Sequence, residues 1–87
     1  MSKVIRILCG AMGDETEHDD RFIKDVKFDA DPFGGAVIVS TEDRAEAIQF
    51  DGVVEAMSFW KTQSHVRPLR PDGEANRPLT AFTVTVE

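Results

Sequence analysis

Three of the four prolines in this 87-residue chain stand directly after an arginine, at Arg67-Pro68, Arg70-Pro71 and Arg77-Pro78. Proline fixes its own φ, lacks a donor N–H and pushes the preceding residue out of the α region. Residues 64–79, SHVRPLRPDGEANRPL, therefore read as a loop in which each Arg-Pro pair is extended and its guanidinium is held off the backbone. Asp72-Gly73 supplies a turn inside it. Loops of this length in a compact domain are usually functional or disordered, and the prolines favour order by reducing the chain entropy that ordering removes. The core is then left to the segments on either side.

Lys3 to Cys9, KVIRILC, is apolar on both faces, with Ile5, Ile7 and Cys9 on one side and Val4 and Leu8 on the other, and reads as an interior strand. Gly10 to Asp20 turns glycine-rich and then acidic, which predicts a solvated loop. Arg21 to Asp29 alternates again, with Phe22, Val26 and Phe28 inward and Ile23, Asp25 and Lys27 outward; Lys24 on the inner face interrupts the pattern. Asp31-Pro32 and Gly34-Gly35 give turn chemistry before Ala36 to Val39, so residues 21–39 read as a β-hairpin. Ser40 and Thr41 before Glu42 and Asp43 predict a short capped helical turn holding Ala45 and Ile48 inward. Asp51 is placed to cap a helix over 52–63 whose inner stripe is Val53, Val54, Ala56, Met57 and Trp60, with Phe59 at its margin. Leu79 to Glu87 alternates as a half-buried strand with Phe82, Val84 and Val86 inward. The order β-β-β-α-β predicts one α+β domain over 1–87, an antiparallel sheet of about four strands with one main helix on one face.

The single cysteine, Cys9, excludes an intrachain disulfide framework and reads as a buried structural thiol. Arg6 interrupts the apolar start and no apolar run approaches the length of a membrane span, so a cytoplasmic protein without membrane contact is expected. The formal charge is −6, spread unevenly. Residues 14–20, DETEHDD, carry five acids and no Lys or Arg, whereas residues 65–79 carry three Arg against Asp72 and Glu74. An acidic body opposes direct nucleic-acid binding, so an anionic partner has to be met by the arginine loop.

Catalytic and metal signatures are weak. Cys9, His18 and His65 lack the local flanks of a nucleophilic site. The acidic run lacks the glycine and terminal glutamate of a calcium loop, and neither histidine has metal-ligand spacing. Gly10-Ala-Met-Gly13 lacks the lysine of a phosphate-binding loop. No catalytic residue, cofactor or metal is therefore expected. Phe59 beside the loop reads either as a ring covered by Arg67 or Arg70, or as an exposed aromatic next to arginines, a composition enriched in protein interfaces.

The succession TEDRAEAIQF, VEAMSFWKTQS and RPLRPDGEANRPLTAFTV, about half the chain, resembles a family of small uncharacterised proteins of proteobacteria and their prophages. That resemblance implies a bacterial cytoplasmic setting and a mobile-element origin, and it lends no activity or cofactor. The resulting expectation is a non-enzymatic binding or regulatory module that contacts a protein partner, or itself, through Arg67, Arg70, Arg77 and Phe59. Two alternatives are an acidic mimic of nucleic acid that occupies a DNA- or RNA-binding protein, and a small enzyme that holds an anionic substrate between loop 10–20 and the arginines. For the acidic run, calcium, magnesium and zinc are predicted to bind no more tightly than about 1 mM, the weak end for carboxylate sites. Isothermal titration checks this, and a micromolar isotherm contradicts it.

Overall fold

The computed structural model describes residues 2–87. The chain runs β1 (Ile5–Gly10), β2 (Arg21–Lys27), β3 (Val37–Thr41), a 3-10 turn (Arg44–Glu46), α1 (Val53–Trp60), a second 3-10 turn (Pro78–Ala81) and β4 (Phe82–Val86). The strands form one antiparallel sheet in the order β3-β2-β1-β4. This is the expected α+β arrangement. The last strand pairs with the first, so the segment holding α1 carries the chain from one sheet edge to the other. The helix residues Ala56, Phe59 and Trp60 pack against Ile5, Ile7, Ile23, Ile38 and the inner side of β4.

Both faces of the sheet are used. Val4, Phe22 and Ala47 form a second, smaller cluster. Arg6 lies over the Phe22 ring at 5.0 Å, a cation–π contact on that side. Its Nε is 3.0 Å from Glu87 Oε2, but the N–H is not aimed at the oxygen, which makes this a charge contact rather than a hydrogen bond. Residues 47–50 run beside the sheet, with Ile48 N donating to Ile23 O and Phe50 exchanging backbone bonds with Lys3.

Two irregularities move side chains away from the expected alternation. In β2 the register shifts between Ile23 and Asp25. An extra residue in one strand resets which face the following side chains occupy. Ile23, expected outward, is thus in the main core, Phe22 is in the second cluster, and Val26 returns to the main core side. Asp25 Oδ1 accepts from Val26 N (2.9 Å) at the shift, and Lys24 is left in solvent. In β1 a shift between Ile7 and Cys9 has a similar result. Cys9, expected to be fully buried, is half-buried, and Leu8 is exposed.

The 3-10 turn is capped by Asp43, whose carboxylate accepts from Ala45 N, while Ala47 rather than Ala45 is buried. The helix is shorter than expected and rotated. Gly52, not Asp51, is its N-cap, and Lys61 ends it. Val53 and Val54, expected inward, face solvent, whereas Ala56 is fully buried. The small Ala56 side chain allows close approach to the sheet, and Phe59 and Trp60 one turn later flank it. Trp60 Nε1 donates to Phe82 O at 3.3 Å. No helix among the described residues is long and apolar enough to cross a membrane.

This rotation predicts unequal costs along α1. Ala56→Leu should destabilise by about 1–3 kcal/mol through overpacking, whereas Val54→Ser should stay within about 0.5 kcal/mol, as exposed substitutions usually do. Thermal melts of the two variants decide it, and a larger loss for Val54→Ser contradicts the observed face.

Candidate protein-interaction surface

The arginine loop is ordered by hydrogen bonds to its own backbone and to the β2–β3 turn. Ser64 is buried at its base; its hydroxyl donates to Asp29 Oδ1 at 2.5 Å and accepts from Arg67 N at 3.0 Å. Asp29 also accepts from His65 N and Val66 N. The hydroxyl of Ser64, followed by these backbone N–H groups, holds the Asp29 carboxyl below its ordinary value, against the opposing effect of partial burial. Ser64 N donates to Asn76 O, and Asn76 N to Pro68 O, closing the base from the other side. The Asn76 amide donates to Arg67 O (2.8 Å) and Phe33 O (3.3 Å), and Gln63 Nε2 to Pro68 O (2.6 Å). Gly34 sits at φ +77°, and a Cβ there would run into Ser64 Oγ and Asn76 Nδ2, so turn and loop approach as only glycine permits.

The far end of the loop is a miniature hairpin. Leu69 bridges Ala75, Arg70 N donates to Glu74 O, and Gly73 N to Arg70 O. Asp72-Gly73 makes the expected turn, with Gly73 at φ +85°. Arg70 grips Asp72 with two nitrogens, Nη2–Oδ2 at 2.8 Å and Nε–Oδ1 at 3.3 Å. The N–H of Glu74, and then Arg70, hold the Asp72 carboxyl below its ordinary value.

The three sequence-predicted arginines are close together, and the fourth predicted residue is elsewhere. Arg67 and Arg70 line an open cleft of about 340 Å³ with Phe33, Leu69, Pro71 and Asn76. Arg70 and Arg77 line a neighbouring depression of about 260 Å³ that also includes Asn76. Arg67 lies 5.8 Å from the centre of the Phe33 ring. Arg77 makes no ion pair among the described residues. Phe59, by contrast, is half-buried against Phe28 (5.6 Å, edge-to-face) and Phe50 (5.3 Å), and its expected place beside the arginines is corrected. The exposed aromatic of the cleft is Phe33, 70% accessible, with Val66 and Leu69 also exposed. The sequence carried a signal for it: a large aromatic in Asp31-Pro32-Phe33-Gly34-Gly35 has no strand or helix to bury it.

A second cavity, about 570 Å³, lies between the start of β3 and the start of β4 and is lined by Gly10, Asp14, Glu17, His18, Ile38 and Phe82, among others. No arginine of the loop lines it; the arginines meet loop 10–20 in the 260 Å³ depression instead, where Ala11 is the one residue of that loop beside Arg70 and Arg77. Ser40 Oγ accepts from Arg21 Nε at 3.0 Å and shares a hydrogen bond with His18 Nδ1 at 2.7 Å; His18 Nε2 is 3.3 Å from Glu17 Oε1. The order resembles a nucleophile–base–acid chain. Its geometry serves instead to tie the loop to β3, because Ser40 does not line the cavity and Glu17 is almost fully solvated. Among the described residues, no three His, Cys, Asp or Glu side chains are grouped to hold a metal ion.

The Asp29 clasp predicts a pH dependence. Asp29 is held below its ordinary 3.8, so its contribution is complete above that value and is lost as the pH falls through the lower native one. Protection of the His65 and Val66 amides, relative to their intrinsic exchange rates, should fall as the pH drops below 3.8 and through the lower native value, and Asp29→Ala should show the low protection already at neutral pH. Equal protection in the variant at pH 7 contradicts the clasp.

Among known proteins, no family model, no curated protein and no solved structure matches this chain.

Proposed function

We propose that this protein is a non-catalytic binding module that receives an acidic, extended segment of a protein partner in the cleft between Phe33, Arg67, Leu69 and Arg70. The observation that carries this reading is the exposed Phe33 ring beside two arginines on a loop fixed by its own hydrogen bonds. Aromatic and arginine residues dominate the energetic centres of interfaces. A loop already ordered in the free protein also loses little entropy on binding. Asp72 offsets part of the Arg70 charge, and Arg77 next to it supplies another cation for the partner's carboxylates. The acidic body steers an anionic partner towards the loop and away from the remaining surface.

The test uses fluorescent peptides of alternating Glu and Phe against the whole protein, with Lys-Phe peptides as the control of opposite charge. Replacing Arg67, Arg70 and Arg77 together by serine should leave folding nearly intact, within about 0.5 kcal/mol per exposed site. Binding should fall by about 30-fold or more, as loss of a central arginine contact worth about 2 kcal/mol requires. Phe33→Ala should weaken the complex as well. Retained binding in the triple variant, or equal affinity for the cationic peptides, contradicts the proposal. Collapse of folding in the triple variant with capture retained at low temperature makes the arginines structural.

A further inference from the structure

Both edge strands of the sheet, β3 and β4, are paired on one side only. At β4, the Trp60 side chain covers the outer edge at its start, Nε1 donating to Phe82 O. β3 is paired on one side only, to β2, and among the described residues no other backbone group bonds to residues 37–41. Side chains take up one end of it: Arg21 Nη2 donates to Ser40 O, and His18 meets the Ser40 hydroxyl. The open stretch is therefore Val37–Val39, continued upstream by Ala36. It contains neither lysine nor proline, the residues that usually block an exposed edge, and Val37 and Val39 are about half exposed.

The 570 Å³ cavity borders the start of this stretch. Ala36, Val37 and Ile38 form one side, Phe82 lies opposite, and Asp14, Thr16, Glu17 and His18 make a wall. His18 is packed edge-on to Phe82 at 6.1 Å and hydrogen-bonded to Ser40, which holds the wall in place. That wall belongs to the run of residues 14–20, with five acids and no Lys or Arg. An apolar floor, an unpaired strand edge and an anionic wall occur together at one place.

We propose that this groove takes an extended cationic segment of a partner protein, added to β3 as a short fifth strand. Strand addition supplies main-chain bonds at Val37–Val39 while alternate side chains enter the apolar cavity. Lysine or arginine on the segment meets Asp14 and Glu17, whose charge also repels anionic chains. Three to four residues of β3 span about 10–13 Å, which matches a short motif rather than a long strand. The site is separate from the arginine cleft and does not depend on the reading given to it.

The probe is a peptide of alternating Lys and Val added to the 15N-labelled whole protein. Expected are shifts of the amides of Val37, Ile38, Val39 and residues 14–18, with a Kd below about 1 mM. A peptide of the same composition with alternate backbone nitrogens methylated should bind at least about tenfold more weakly, because the added strand loses its donors. Val37→Lys should weaken the cationic peptide by a similar factor of about ten through repulsion at the edge. The paired change Asp14→Asn and Glu17→Gln should weaken it about fivefold and reduce the salt dependence. The amide spectrum itself reports whether each variant is folded. Equal binding of the methylated peptide, equal binding of a Glu-Val peptide, shifts confined to the arginine loop, or no binding at 1 mM each overturns the proposal, as does concentration-dependent pairing of β3 with a second copy in the absence of peptide.

Discussion

A single carboxylate joins the two longest stretches near the candidate cleft that lie outside the strands and helices, the β2–β3 turn and the arginine loop. Asp29, two residues past β2 with φ at +54°, accepts from the Ser64 hydroxyl and from the amides of His65 and Val66. Without that junction the β2–β3 turn and the arginine loop would be two independent excursions from a small sheet. With it, Phe33 and Arg67 meet although they are far apart in sequence, and the exposed cleft acquires fixed walls. Asn76 completes the junction by reaching both segments with one side-chain amide. The acidic charge of the chain is thus partly used as internal fastening, with carboxylates accepting backbone N–H bonds where no strand partner exists.

The sheet uses a different device to solve a problem of size. A chain of this length has little material for a core, and covering one face alone would leave β1 and β2 half wet. Residues 47–50 run beside the sheet, Ala47 joins Val4 and Phe22 in a second cluster, and Ile48 and Phe50 pack on the main one. The register shifts in β1 and β2 distribute apolar side chains between the two sides. Main-chain pairing is continuous enough to hold four strands, yet it yields at two points so that both sides are filled.

The strand order in sequence, the turns and the extended arginine loop were legible from the residues because each rests on local chemistry: alternation, Asp-Gly and Gly-Gly turns, and Arg-Pro geometry. Facing was less legible. Lys24 marked the interruption in β2, but without knowing that the strand bulged there, strict alternation sent Ile23 to the wrong side. The helix was legible in part: Ala56 and Trp60, both in the expected stripe, pack on the sheet, whereas Val53 and Val54 were counted inward and stand in water, because the sheet takes the smallest side chain for closest approach. Around the candidate cleft, the grouping of the arginines was legible because proline marks their loop; Phe59 was chosen because it is near in sequence, and the proximity of Phe33 was not legible because it rests on the tertiary bonds of Asp29 and Asn76. The acidic run was legible as solvated, but its place beside the open edge of β3 is a product of topology.

The miniature hairpin at the tip of the arginine loop closes on itself at Leu69 and Ala75, and the bonds that anchor the loop to the body lie outside it. What is carried between those two residues is thus insulated from what holds the fold together. Exchanging the residues from Arg70 to Glu74 would leave every hydrogen bond of the junction beneath them in place. The tip of such a molecule tolerates sequence change that its frame does not register.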